Sequence, residues 1–185
     1  MLLVLLLIPI VGSKKTDPSR NGWICVVSPD TAAWSKFSSP PGTPTLPRFE
    51  KQLEQNAEKA KWEFQDRYAT SKLLGQLFIS HYCPRVYPFP SDGKGVTFNV
   101  SNPGFCFGSE LGRETVKVFK WAVKLGYKKR RWHGVYVEDG KIQPMPPLVY
   151  KPEGQDIAAR LYDETIAELQ AYMPRLRGTM EGLRG

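Results

Sequence analysis

A tyrosine and a lysine stand four residues apart in the stretch DRYATSKLLGQLFISHY (66–82). If this stretch is helical, Tyr68 and Lys72 share one face, because residues at i and i+4 are neighbours on a helix surface. A phenol with its ordinary pKa of about 10 transfers protons poorly at neutral pH, whereas a nearby ammonium favours the phenolate. The spacing is therefore compatible with a proton-transfer pair, and equally with the solvated first turn of an ordinary helix.

The segments around this pair have the pattern of alternating strands and helices. After Lys72 the stretch continues with apolar residues at helical spacing, which are Leu73, Leu74, Leu77 and Phe78, followed by His81. WICVVS (23–28) precedes it and VTFNVS (96–101) follows it. Such continuous apolar runs are typical of strands buried on both faces of a parallel sheet. Within the first run, Cys25 is interpreted as a small buried hydrophobe.

The remaining segments extend this alternation. Helices are predicted over 1–12, ended by Pro9 and Gly12, over 109–127 and over 154–173, with a short strand and turn within 129–144. The stretch 38–49 contains four prolines and is expected to be irregular. The pattern predicts an α/β fold whose ligands bind at the carboxyl ends of the strands. The segments SPDTAAW (28–34) and NPGFCFGSE (102–110) occupy those ends.

Composition and charge narrow the classes of partner. The 185 residues suit one globular domain, and the net charge is +8. The basic run KKRR (128–131) is interpreted as a solvated turn, so nucleic-acid binding is not expected. Three widely spaced cysteines form neither a disulfide framework nor a zinc site. No metal is predicted.

The apolar start of the chain, MLLVLLLIPIVG, permits two interpretations. It is too short for a membrane span, which needs about 20 apolar residues, and it lacks the basic region that precedes the apolar part of a signal peptide. A buried helix in a cytoplasmic protein is the favoured interpretation. Membrane association through residues 1–11 is the alternative.

Taken together, these segments resemble the short-chain dehydrogenase/reductase family. LLVLLLIP resembles the helix before the family's fifth strand, WICVVS resembles that strand, and YATSK (68–72) matches the Tyr-x-x-x-Lys signature. VTFNVSNPGFC resembles the sixth strand and its Pro-Gly turn, while SELGRE and LYDETIAEL resemble fungal, retinol-dehydrogenase-like members. The resemblance implies the C-terminal half of a Rossmann-like doubly wound parallel sheet with flanking helices, as one partial domain over 1–177 and a tail over 178–185.

The resemblance also implies roles for individual residues. Tyr68 would be the general acid/base, and Lys72 would favour its phenolate and hydrogen-bond the nicotinamide ribose. Ser28 would polarise the substrate carbonyl. The cofactor would be NADP or NAD, with NADP favoured. Its nicotinamide end would contact Tyr68 and Lys72 and a group of residues after the sixth strand, namely Pro103, Gly104, Phe105, Cys106 and Ser109.

Two departures from the family pattern bear on activity. The glycine-rich loop that lets backbone amides approach the pyrophosphate is missing, and the chain begins where the family has the helix before strand five. It is therefore expected to be N-terminally truncated. In the family's pair of serines, Ser28 takes the first position and Pro29, which has no hydroxyl, takes the second; Thr31 is the nearest other hydroxyl.

Two functions follow from these features. The first is an NAD(P)-dependent oxidoreductase that acts on a hydroxyl or carbonyl of a lipophilic small molecule of fungal secondary metabolism. The second is a catalytically inactive truncated relative that acts by protein association. In the family, helices equivalent to 1–12 and 66–82 usually form a dimer interface, so a homodimer through these helices is expected.

Overall fold

The computed structural model describes residues 1–13, 22–58, 64–85, 96–104 and 133–174. Within these ranges the helices are α1 (Leu2–Ser13), α2 (Thr45–Glu58), α3 (Phe64–Arg85) and α4 (Pro152–Tyr172). The strands are β1 (Gly22–Val27), β2 (Val96–Ser101), β3 (Val135–Glu138) and β4 (Lys141–Gln143). Two short 3-10 helices, Asp30–Trp34 and Pro147–Tyr150, follow β1 and β4. The predicted helix over 109–127 lies outside the described residues.

The described strands form one mixed sheet in the order β1-β2-β3-β4. β1 pairs with β2 and β2 with β3 in parallel, so the partial Rossmann-like α/β arrangement expected from the sequence is confirmed. β4 runs antiparallel to β3. Asp139 and Gly140 form the two-residue connection between them and both have positive φ, as hairpin turns with an Asp-Gly loop require. This fourth strand was not predicted.

The two strands that were predicted to be fully buried differ in burial. In β2 every residue from 96 to 100 is buried, which confirms the prediction. In β1 only Ile24 is buried, and Val27 is 61% exposed, so the prediction is wrong for this strand. Cys25, predicted to be buried, is exposed. The physical reason is position, because among the described strands β1 lies at the sheet edge and pairs with β2 alone.

α1 continues through Pro9 to Ser13 rather than ending at the proline. Leu5 and Ile8 are buried in the hydrophobic core, and this packing outweighs the hydrogen bond that Pro9 removes. A Cβ built on Gly75 would lie 3.8 Å from the Met1 side chain, so the start of α1 lies beside the middle of α3. In the part of the chain that the structure describes, no helix has the length and apolar character needed to cross a membrane.

α2 begins inside the proline-rich stretch that was expected to be irregular. The carboxylate of Glu164, on α4, accepts hydrogen bonds from the backbone N–H groups of Thr45 (2.8 Å) and Leu46 (2.7 Å). These are amides that a helix start leaves without intrahelical partners. Pro47 falls in the first turn, where proline is tolerated. The expectation was wrong because the residue that caps this helix is distant in sequence.

The second half of α3 is held between the sheet and α4. Tyr82 packs edge-on against Phe98 of β2, with ring centroids 6.0 Å apart. On the side of α4, Tyr162 lies 5.5 Å from the ring of Phe78 and 5.2 Å from that of His81. Aromatic pairs at these separations stabilise beyond the area they bury. α3 is therefore a fixed element, and the side chains of its first half have a defined direction.

Candidate active site

Tyr68 and Lys72 lie one turn apart in the first half of α3. The Lys72 ammonium nitrogen is 5.2 Å from the centroid of the Tyr68 ring, within the range of a cation–π interaction. Tyr68 is 36% exposed, and Lys72 is partly exposed. The helix spacing predicted this proximity, and the structure brings the two side chains together at the surface. The phenol is thus accessible to a ligand while an ammonium stands beside it.

The opposite side of the same helical turns is anchored. An oxygen of the buried Asp66 carboxylate accepts a hydrogen bond from the backbone N–H of Lys36 at 2.8 Å. The hydroxyls of Ser35 and Thr70 are 2.7 Å apart and share a hydrogen bond. Both contacts tie the start of α3 to the segment that follows the first 3-10 helix. They were not anticipated from the sequence, and they set the direction in which Tyr68 points.

Ser28 stands directly after β1 and packs against α3. It is only 4% exposed, and its backbone N–H donates to the carbonyl of Ser101 at 3.0 Å. Its hydroxyl accepts a hydrogen bond from the side-chain amide of Gln76 at 3.0 Å. Gln76 lies two turns beyond Tyr68, or about 12 Å along the helix axis. The structure therefore brings Ser28 to Gln76, on the same helix as Tyr68.

The residues after β2 form a preformed turn at the carboxyl edge of the sheet. The backbone N–H of Asn102 donates to Val137 at 2.9 Å, and its side-chain oxygen accepts from the N–H of Gly104 at 3.1 Å. Gly104 has φ of 61°, in the left-handed region that favours glycine, and a Cβ there would meet open space. Pro103 and Gly104 are exposed. Phe105, Cys106 and Ser109, predicted to contact the cofactor, lie outside the described residues.

A polar cluster at the same edge was missed by the sequence analysis. Asp30, after β1, and Glu138, at the end of β3, line a cavity of about 470 Å³ together with Gln76 and Tyr136. The amide of Asn102 donates a hydrogen bond to Glu138. The ends of β1 and β2 were considered as ligand-binding segments, and the end of β3 was not. The rule that ligands bind at the carboxyl ends of parallel strands would have pointed to Glu138.

Tyr136 is buried at the centre of this cluster. Burial raises the pKa of its phenol well above the usual value, and the negative charges of Glu138 and then Asp30 raise it further. A side-chain contact with Asn102 lowers this pKa, but by less. The phenol therefore stays protonated at neutral pH. The cluster was hidden in the sequence because Tyr136 has the ordinary pattern of an inward-facing strand residue.

Other chemistry has little support in the described ranges. Burial raises the pKa of the Cys83 thiol to about 12, so it remains a protonated, unreactive thiol at neutral pH. Cys25 is free and exposed on β1. No group of three or more metal-binding side chains occurs among the residues that could be searched, which are the described ones.

Several curated fungal proteins match this chain. The short-chain dehydrogenase fogG of Aspergillus ruber is 36% identical over 191 aligned positions, which cover 91% of this chain and 52% of that protein. The short chain dehydrogenase/reductase mfmJ of Annulohypoxylon moriforme is 30% identical, and the alignment covers 100% of this chain and 55% of that protein. The short chain dehydrogenase virL of Hypocrea virens is 31% identical, with 91% and 51% covered.

These matches concern only part of each relative, since the chain spans about half the length of the curated proteins it matches. No protein-family model matches the chain. No solved structure matches it either.

Proposed function

The chain belongs to the short-chain dehydrogenase/reductase family. On that premise we propose that it acts as a nicotinamide-dependent oxidoreductase. The substrate would carry a hydroxyl or carbonyl group on a lipophilic or secondary-metabolite-like molecule. Family membership implies NAD or NADP in general, and we propose NADP. One observation carries the proposal: the Lys72 ammonium lies 5.2 Å from the ring of a partly exposed Tyr68.

The residues at the carboxyl edge are compatible with the nicotinamide end of the cofactor. The turn after β2 presents Pro103 and Gly104 at the surface, and the position where a side chain would stand on Gly104 is open space. Backbone without a Cβ lets a ligand approach closely. Tyr68 and Lys72 would hold the ribose by hydrogen bonds. The bound cofactor would supply or accept a hydride.

Within this site Tyr68 would move the proton. Its phenolic O–H would donate to the substrate oxygen during reduction, or the phenolate would take a proton from a substrate hydroxyl during oxidation. In both directions the Lys72 ammonium would stand beside the phenol, 5.2 Å from the centroid of its ring. General acid–base catalysis of this kind contributes about 10²–10⁴-fold in rate.

Ser28 does not enter the proposed proton step. Its hydroxyl already accepts from Gln76 and is buried, which supports a role in fixing the end of β1 against α3. The neighbouring Pro29 has no hydroxyl. We propose that Ser28 polarises the substrate oxygen, because its bond with Gln76 uses a lone pair of the hydroxyl and leaves the O–H to donate.

We also propose that the chain forms a homodimer through α1 and α3. Leu3 and Ile10 are large apolar side chains exposed on α1, which lies beside α3. Burying such side chains in a subunit interface removes apolar surface from water. We further propose one domain over 1–177, with a tail over 178–185, in a cytoplasmic protein. The curated relatives lend no support to the alternative of an inactive protein that acts by association.

Cofactor titration tests the central proposal. The purified 185-residue chain is titrated with NADPH and with NADH while nicotinamide fluorescence is followed. We expect binding at micromolar concentrations that is abolished in Lys72→Ala. Lys141→Ala is the matched control, because Lys141 is exposed on β4 and should leave binding unchanged. Absence of binding at millimolar cofactor, or equal binding by the two variants, would overturn the proposal for this chain.

A further inference from the structure

A second feature of α3 lies two turns beyond the Tyr68 pair. The cavity of about 470 Å³ is bounded by the first 3-10 helix, the middle of α3 and the β3–β4 hairpin with the segment that follows it. Polar side chains in its wall include the acidic Asp30 and Glu138 together with Gln76 and Tyr136, and Gln143 also borders it. The first four of these groups come from three separate elements, the first 3-10 helix, α3 and β3, that converge on one space.

Two of these groups are buried and have hydrogen-bonding capacity left over among the described residues. Tyr136 is 4% exposed, and its hydroxyl makes no hydrogen bond of normal geometry there, although the Asn102 side chain lies close enough to lower its pKa. Gln76 uses its NH₂ group on Ser28 and on the carbonyl of Pro29, which leaves its side-chain oxygen without a partner in the same ranges. A buried polar atom without a partner costs free energy, and such atoms in a cavity wall indicate a missing ligand.

The chemistry of the wall selects the ligand's polar groups. The two carboxylates and the oxygen of Gln76 are acceptors, so the ligand must present hydrogen-bond donors. Two negative charges disfavour carboxylate or phosphate ligands. Glu138 already accepts from Asn102, and Asp30 is exposed to water, so neither carboxylate needs a buried cation. An ammonium ion would also have to lose its hydration beside apolar side chains, at high cost.

The opposite wall is apolar. It consists of Met145 with Pro144, Pro146 and Pro147, and the rings of Tyr136 and Tyr150 close the cavity. Tyr150 is held in place because its hydroxyl accepts from the backbone N–H of Met145 at 2.9 Å. Pockets with apolar walls and a few convergent polar groups bind small molecules by burying a compact apolar body.

We propose that this cavity binds an uncharged ring compound that carries at least two hydroxyl groups, with the hydroxyls donated to Glu138, Asp30 and the oxygen of Gln76. The hydroxyl of Tyr136 completes the set as a donor to a ligand oxygen. The inference deepens the proposed function, since it names the substrate class, and it rests on that function only for calling the ligand a substrate.

Binding of a simple probe tests the site without cofactor or turnover. Resorcinol, which has two ring hydroxyls, is titrated calorimetrically into the 185-residue chain, with phenol, benzylamine and benzoate as comparison ligands. We expect resorcinol to bind more tightly than phenol, and benzylamine and benzoate to bind more weakly than either. Tighter binding of benzylamine would overturn the assignment in favour of a cation site, and absence of resorcinol binding would overturn it outright.

Conservative variants locate the binding. Tyr136→Phe should weaken resorcinol binding about five-fold, and Glu138→Gln about tenfold, because hydrogen bonds to charged acceptors contribute more. Tyr136→Phe should fold normally, since the hydroxyl it removes makes no hydrogen bond of normal geometry among the described residues and only a weaker contact with Asn102. Tyr172→Phe and Glu168→Gln are matched controls at exposed positions of α4. Equal resorcinol affinity in all four variants would overturn the site, even if the cofactor titration succeeds.

Discussion

The two halves of α3 perform different tasks on one continuous helix. The first half carries Tyr68 and Lys72 at the surface, where they contact each other and solvent. The second half buries Leu77, Phe78 and Tyr82 between the sheet and α4. The difference shows how a helix can present reactive groups in a fixed direction: the buried half provides the rigidity, and the exposed half provides access. Sites on such rigid elements are held more accurately than sites on loops.

The largest expected effect falls on the exposed half and concerns rate alone. Tyr68→Phe removes the hydroxyl that would transfer the proton, so kcat of nicotinamide-dependent turnover should fall about 10²–10⁴-fold. Because Tyr68 is partly exposed, the free energy of unfolding should change by no more than about 0.5 kcal/mol. Steady-state kinetics and urea denaturation on the same preparation measure both. A variant that keeps full turnover would remove Tyr68 from the mechanism.

The next effect falls on the buried half and concerns stability. Leu77 is 0% exposed, and Leu77→Ala should lower the free energy of unfolding by about 2–5 kcal/mol through lost apolar burial and the cavity it leaves. Lys72→Ala, five residues earlier, should cost no more than about 0.5 kcal/mol. Urea denaturation of both variants checks this. Similar losses in the two would mean that the halves are not distinct.

A smaller effect should connect the halves with the segment that anchors them. Asp66→Ala removes the acceptor of a part-buried hydrogen bond from the Lys36 N–H, at a cost of about 0.5–1.5 kcal/mol. It should also lower turnover, because the start of α3 loses an anchor. Asp66→Asn retains an acceptor oxygen and should recover most of both losses. If Asp66→Ala lowers stability but leaves kcat intact, the anchor does not orient Tyr68.

The smallest effect is a pH dependence in the buried half. Burial, and then the positive charge of Arg85, lower the pKa of His81, while Asp163 opposes them. As the pH falls, His81 therefore becomes protonated near pH 6.5 in the unfolded chain and only at a lower pH in the folded chain. Stability should be fully present above about pH 6.5 and should decline as the pH falls toward the lower pKa of the folded state.

Thermal unfolding between about pH 7.5 and 5 measures this decline, and His81→Gln, which cannot titrate, should flatten it. An unchanged slope in His81→Gln would assign the pH dependence to other groups.

The sequence predicted features that depend on local spacing. The contact between Tyr68 and Lys72 follows from helix periodicity, and the positions of β1 and β2 follow from their apolar runs. Other features depend on residues brought together by the fold. The exposure of Cys25 depends on its place in the sheet, and the bond between Ser28 and Gln76 joins positions 48 residues apart. Periodicity carries no information about such partners, so of the cavity beside Tyr136 only Glu138, at a strand end, was within reach of prediction.

The cap on α2 has a consequence for the order in which the chain folds during synthesis. Glu164 supplies the acceptor for the amide of Thr45 from 119 residues downstream. At about 5–20 residues per second, the ribosome needs roughly 6–24 s to make the intervening segment. Short isolated helices are marginal in water. During that time the start of α2 lacks the acceptor for its first amides. We therefore expect α2 to become stable only after α4 has been synthesised.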